Sequence, residues 1–249
     1  MPALPFDWPV YALAAAVTVF AYFIFGITAF GASLFTAPVL AFFLPLEFVL
    51  PVTTMLDVAA SVALGARFGP SADRTELAWM TPFMLVGAVT GALLLVRLPR
   101  DASLAAFGVF LLAYGAYTLW QPPTGRRVSR AWAPVAGYTG GTMGTLFGVG
   151  GAPYAIYLSR RIEDKLALRT TLSSLVLLST VIRLIVFAAS GLATTDRWIA
   201  AAMLAPWMAL GLWLGNKVYG RITRAQLVGT ITVLLTLMGV LLLVRAANA

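Results

Sequence analysis

The chain has 249 residues, of which 61% are hydrophobic and only 10% charged, with a formal net charge of +8. Ordinary soluble domains carry about 25% charged residues, so this much apolar surface points to lipid as the solvent. Cysteine and histidine are both absent, which excludes a disulfide framework, thiolate or imidazole catalysis and a His/Cys metal cluster; no cofactor is implied.

Apolar runs between charged or Pro/Gly-rich breaks predict an all-α integral membrane protein of ten segments. In chain order they cover 10–30, 32–45, 48–67, 77–97 and 102–120, then 132–149, 151–159, 166–190, 197–216 and 225–245. A crossing needs about 20 apolar residues. The second and seventh segments are too short for that and read as half-helices that follow breaks at Gly31 and at Gly148-Val149-Gly150-Gly151. Trp8, Trp79, Trp120, Trp132 and Trp198 stand at segment ends, where an aromatic belt places them. The tail before Val10 holds Asp7 and no Lys or Arg, so no cleaved signal peptide is expected.

The two halves repeat each other. Pro82, Gly87 and Gly91 recur at the same spacing as Pro206, Gly211 and Gly215, followed by Arg100 with Arg224 and Gly115 with Gly239. Upstream, Thr53 and Thr54 match Thr170 and Thr171, and Gly31 matches Gly150. The expected organisation is a first transmembrane repeat over 1–120, a basic inter-repeat loop over 121–131, and a second repeat over 132–249. Gly87, Gly91, Gly211 and Gly215 read as helix-packing positions, as small residues spaced by four commonly are.

Lys and Arg decide the orientation. If every segment changes sides, one face receives Arg67, Arg74, Arg126, Arg127, Arg130, Arg160, Arg161, Lys165, Arg169, Lys217, Arg221 and Arg224. The other receives Arg97, Arg100, Arg197 and Arg245, which makes 12 against 4 with Arg183 left inside a helix. Letting the two short segments turn back removes the bias. The positive-inside rule therefore favours five crossings per half with both termini outside, and an odd number per half inverts one repeat relative to the other. The basic residues thus report topology rather than a nucleic-acid partner.

The densest local motif is Gly148-Val149-Gly150-Gly151-Ala152-Pro153. So many glycines cannot sustain a straight helix, while Pro153 fits the first turn of a new one. A helix start at membrane depth presents unpaired N–H groups and a positive dipole end, and these survive there only beside a cavity or a ligand. An anion is the ligand such a site takes. Ala29-Phe30-Gly31-Ala32-Ser33 is the first half's poorer copy. Close helix packing alone is the competing reading for both.

Two ionisable residues lie at depth. Asp57 is about ten residues into the third segment, roughly 15 Å deep, and Arg183 is roughly 10 Å from the outer end of the eighth. Such residues are costly in lipid and are functional suspects. An arginine can span the difference, so an ion pair between the repeats is expected. That pair is either a structural bridge or a device in which Arg183 attracts an anion and Asp57 carries a coupling proton; a third reading lets Arg183 snorkel outward. The hydroxyls of Thr53, Thr54, Thr170, Thr171, Ser173 and Ser174 can donate to an oxyanion, or bond back to their own helices.

Taken together, the glycine break at 148–153, its copy around Gly31, the Thr pairs and the Pro-x4-Gly-x3-Gly blocks resemble the sulfite exporter TauE/SafE family of membrane transporters. The resemblance runs over nearly the whole chain and departs from the family at 29–33, where members are richer in glycine. It implies a multi-pass inner-membrane protein exporting sulfite, sulfoacetate or a related sulfur oxyanion. The site expected under it comprises Gly148, Gly150, Gly151, Gly31, Ser33, Thr53, Thr54, Thr170, Thr171, Ser174 and Arg183 for substrate, with Asp57 for coupling. A channel or importer of the same architecture, or a carrier of a small non-sulfur carboxylate or other anion, remains the alternative. The expected partners are the small anion and the bilayer; a homo-oligomer is compatible, and nucleic acid is not expected. Primary transport lacks its Gly-x4-Gly-Lys-Ser/Thr loop. Intramembrane proteolysis lacks a histidine base, a His-Glu-x-x-His motif and a second aspartate.

Overall fold

The computed structural model describes residues 7–28, 31–63, 72–120, 128–218, 236–237 and 239–244. Among them the chain is helical: α1 (Trp8–Thr28), α2 (Ser33–Leu40), α3 (Leu46–Ala63), α4 (Arg74–Arg97), α5 (Arg100–Trp120), α6 (Ala133–Phe147), α7 (Gly151–Leu158), α8 (Lys165–Ala189) and α9 (Thr195–Val218). A single 3-10 turn, Arg130–Trp132, leads into α6. Among the described residues, five stretches are long and apolar enough to cross a membrane: Trp8–Ile27, Leu46–Ala63, Arg74–Arg97, Thr170–Ala189 and Thr195–Val218. The protein is therefore a multi-pass membrane protein. Most of the expected tenth segment, and residues 121–127 of the inter-repeat loop, lie outside the described residues.

Local chemistry sets the boundaries. α4 begins three residues earlier than the apolar pattern predicts because the Asp73 carboxylate accepts from the N–H groups of Thr75 and Glu76. The α8 start is capped in the same way by Asp164, which accepts from Ala167 N at 2.7 Å. α2 and α7 are 8 residues each, too short to cross, as their segments predict. α6 has 15 residues, about 22 Å at 1.5 Å each.

Packing exchanges partners between the halves: α4 lies against α6, and α1 against α9. The repeated glycines make both contacts. An added Cβ at Gly87 would run into the Tyr138 carbonyl, and one at Gly91 into Thr142 O at 2.7 Å. Gly211 and Gly215 meet the Val19 and Phe23 carbonyls in the same manner. Residue numbers rise together along each contact, so both pairs run parallel. Gly239 packs against α5, where the Gly108 carbonyl lies 3.1 Å from its would-be Cβ.

Polar contacts sort the helix ends. At one end Asp73 N donates to Thr171 Oγ1 at 2.9 Å, and Arg130 and Arg161 both reach Glu76. That end gathers the starts of α4, α6 and α8 and the finish of α7. At the other, the Arg197 guanidinium lies over the Phe48 ring, 5.9 Å from its centroid. A small cavity there brings Leu46 and Glu47 beside Leu98 and Ser103. Tyr11 donates to the Met203 carbonyl at 3.3 Å and accepts from Trp207 Nε1 at 2.9 Å, which ties α1 to α9 near that end. Trp8, Trp79, Trp132 and Trp198 are exposed, as belt residues are; the Trp120 side chain lies outside the described residues.

Candidate functional site

Both glycine breaks are made by left-handed backbone. Gly31 has φ +91° and Gly148 φ +79°, a region that costs a side-chain-bearing residue about 1–2 kcal/mol. At the second break α6 ends with Gly148 N donating to Gly144 O at 2.9 Å and Val149 N to Met143 O at 3.2 Å. The chain then restarts as α7. The two breaks touch, since an added Cβ on Gly148 would collide with the Ser33 side chain. Neither α2 nor α7 has a side chain capping its start. Backbone carbonyls take up part of the work: Leu34 N donates to Gly31 O and Phe35 N to Ala32 O at 3.0 Å, Ala152 N donates to Val149 O at 3.3 Å, and Pro153 has no N–H.

Between the breaks lies a small cavity of about 30 Å³, with Gly31, Gly148, Gly150, Gly151, Asp57 and Arg183 in its wall. That space is on the order of one or two water molecules. Asp57 on α3 and Arg183 on α8 are 6% and 4% exposed. Their charges pair at 2.9 Å between Arg183 Nη2 and Asp57 Oδ2. Tyr22 donates to Asp57 Oδ1 at 2.8 Å and Ser33 to Oδ2 at 3.0 Å. Arg183 Nη1 donates to the Gly144 carbonyl at 2.6 Å, while its Nε has no hydrogen-bond partner among the described residues. The expected inter-repeat ion pair is present, and the arginine does not snorkel. A buried guanidinium with an unused donor beside these helix starts can offer that donor to a hydrogen-bond acceptor, an anion included.

The expected site residues divide. Gly31, Gly148, Gly150, Gly151, Asp57 and Arg183 line the cavity, and Ser33 reaches it through its bond to Asp57. The threonine pairs do not line it. Thr53 and Thr54 bond back to the Leu50 carbonyl at 3.1 and 2.6 Å, and Thr171 accepts from Asp73 N at the basic end. Thr170 stands beside Thr171 at the start of α8. Ser174 is fully buried with an unpartnered hydroxyl, away from the cavity wall.

The structure adds residues that sequence patterning passes over. Tyr154 and Ser179 line the cavity and share a hydrogen bond of 3.1 Å. Tyr154 packs its ring against Gly140, and a phenol one turn past the glycine break was the available signal. Glu76 is a second buried carboxylate, 1% exposed. It accepts from Arg130 Nε at 3.1 Å, Arg161 Nη2 at 3.0 Å and the Tyr157 hydroxyl at 2.6 Å. This cluster binds α4 to both arms of the α6–α7 hairpin. The hydrogen bond to Glu76 raises the Arg161 pKa further above its ordinary value, keeping the guanidinium charged.

A family model described as Sulfite exporter TauE/SafE matches residues 14–242. No curated protein and no solved structure matches the chain.

Proposed function

Because the chain belongs to the sulfite exporter TauE/SafE family, a family of membrane transporters of sulfur anions, we propose that it exports a small sulfur-containing anion as a secondary transporter. Sulfite, sulfoacetate and related organosulfonates are the candidate cargoes, moved by alternating access across the inner membrane. The observation that carries this reading is the Arg183 Nε, buried and unpartnered in a cavity flanked by the uncapped starts of α2 and α7. In water a sulfur oxyanion is hydrated on every oxygen. The Arg183 guanidinium and the Tyr154 and Ser179 hydroxyls together offer donors that replace part of that shell.

In this reading the halves are inverted five-segment repeats, 1–120 and 132–249, joined by the basic loop at 121–131. Three features support it. The α1–α9 and α4–α6 contacts are equivalents of each other under exchange of the halves. The α1–α2 hairpin returns to the Glu47 end, whereas α6–α7 returns to the Arg161 end. The latter is the end rich in Lys and Arg, which the positive-inside rule assigns to the cytoplasm. Occluded and open states then arise by rocking of one half against the other around the Asp57–Arg183 centre.

Asp57 has the coupling role. Cargo arriving at Arg183 competes with Asp57 for the guanidinium, and the released carboxylate is the group able to carry a proton in exchange. The test is flux through protein reconstituted in liposomes loaded with sulfite. Wild type is expected to give saturable, gradient-dependent efflux. Arg183→Gln removes a charge-assisted contact and is expected to lower the initial rate roughly 10–100-fold. Folded Arg183→Gln protein with unchanged flux would remove the arginine from the mechanism.

A further inference from the structure

The α6–α7 hairpin has a second concave face, directed away from the central cavity. A groove of about 510 Å³ runs between its arms, walled by Trp132, Val135 and Thr139 on one side and Pro153, Ile156 and Arg160 on the other. Its size is that of an ordinary small-molecule site, roughly 300–1,000 Å³. Inside, the polar groups are already engaged. The Thr139 hydroxyl donates to the Val135 carbonyl at 2.7 Å, and the Tyr157 hydroxyl, at the groove's edge, donates to Glu76 at 2.6 Å. The interior can therefore take only hydrocarbon.

The mouth is different. Arg130 and Arg161 are bound to Glu76, whereas the half-buried Arg160 side chain has no hydrogen-bond or ion-pair partner among the described residues. Arg130 and Arg161 share one carboxylate, Glu76, and Arg160 adds a third guanidinium at the groove. No carboxylate lines the groove. Trp132, exposed beside it, marks the depth of the membrane interface. The end concerned is the one assigned above to the cytoplasm, where the facing leaflet is the richer in anionic lipid.

We propose that this groove is a binding site for one anionic phospholipid, with an acyl chain lying between α6 and α7 and the phosphate on Arg160. The hairpin would then carry cargo on one face and lipid on the other, with the Gly148 break between them.

Native mass spectrometry of the detergent-purified full chain tests this, by titration with phosphatidylglycerol and with phosphatidylcholine of the same acyl chains. Wild type is expected to hold one phosphatidylglycerol about fivefold more tightly than phosphatidylcholine, the contribution of one interfacial arginine. Arg160→Gln is expected to abolish that preference while still binding both lipids weakly. Val135→Trp, which fills the groove from an exposed position, is expected to release both. Equal affinity of wild type for the two lipids would overturn the proposal, as would a preference that survives in Arg160→Gln. So would a groove filled by a second copy of the chain, seen as a dimer that Val135→Trp dissociates. None of these readouts depends on flux, so failure here is distinct from failure of the transport reading.

Discussion

Replacing Asp57 with Ala is expected to destabilise the folded protein by about 3–5 kcal/mol, the ordinary cost of stranding one member of a buried ion pair. Arg183 would keep only the Gly144 carbonyl, with Nη2 joining Nε as an unsatisfied donor. Tyr22 and Ser33 would lose their shared acceptor as well. Burying a charge without a partner is far costlier than burying none, so the double substitution behaves differently. Asp57→Leu combined with Arg183→Met is expected to regain most of the lost stability, as apolar replacements of buried pairs often do. Chaotrope unfolding in detergent measures both. Flux then separates the roles of the pair. A stable double variant without sulfite efflux assigns it to transport, while one that transports normally reduces it to a structural bridge.

The second large effect concerns the break itself. Gly148→Ala is expected to cost roughly 2–5 kcal/mol, from the left-handed backbone together with overpacking. Its methyl group would meet the Ser33 side chain, and behind that Leu50 Cδ2 at 3.5 Å. Ser33 holds Asp57, so relief by moving Ser33 disturbs the ion pair, and efflux is expected to fall along with stability. Gly191 supplies the control. It has φ +71° but nothing within 4 Å of an added Cβ. Gly191→Ala should therefore show only the backbone cost, about 1–2 kcal/mol, and keep its efflux. Equal effects at the two positions would mean that the contact between the breaks contributes nothing. The measurement is the unfolding midpoint of each variant beside its initial efflux rate.

Much of this architecture was legible in the chain. The apolar runs locate each described helix because lipid demands continuous nonpolar stretches, and the two shortest runs mark α2 and α7. Gly31 and Gly148 locate the breaks, since few other residues accept their left-handed backbone. Asp57 and Arg183 stand out because charge at depth is rare. What escaped depends on three dimensions. Glu76 sits beside Arg74 at a helix start, so in one dimension it looks like a surface residue, and only the fold brings Arg130, Arg161 and Tyr157 around it. The Thr53–Thr54 and Thr170–Thr171 pairs have the right chemistry for an oxyanion, but helical rotation turns Thr53 and Thr54 to their own carbonyls and Thr171 to Asp73. Tyr154 and Ser179 meet only because α7 folds back against α8, a long-range event with no periodic signature.

Under the proposed function, the Asp57–Arg183 cavity binds the anion and opens in turn to each side of the membrane. The chain has no cysteine, so a single Ser179→Cys in the cavity wall gives an unambiguous probe. A membrane-impermeant thiol reagent, applied in turn to the outside and the inside of oriented vesicles, should label it from each side, and sulfite should protect it in both cases. Labelling from one side only, or labelling that sulfite leaves unchanged, would contradict the account.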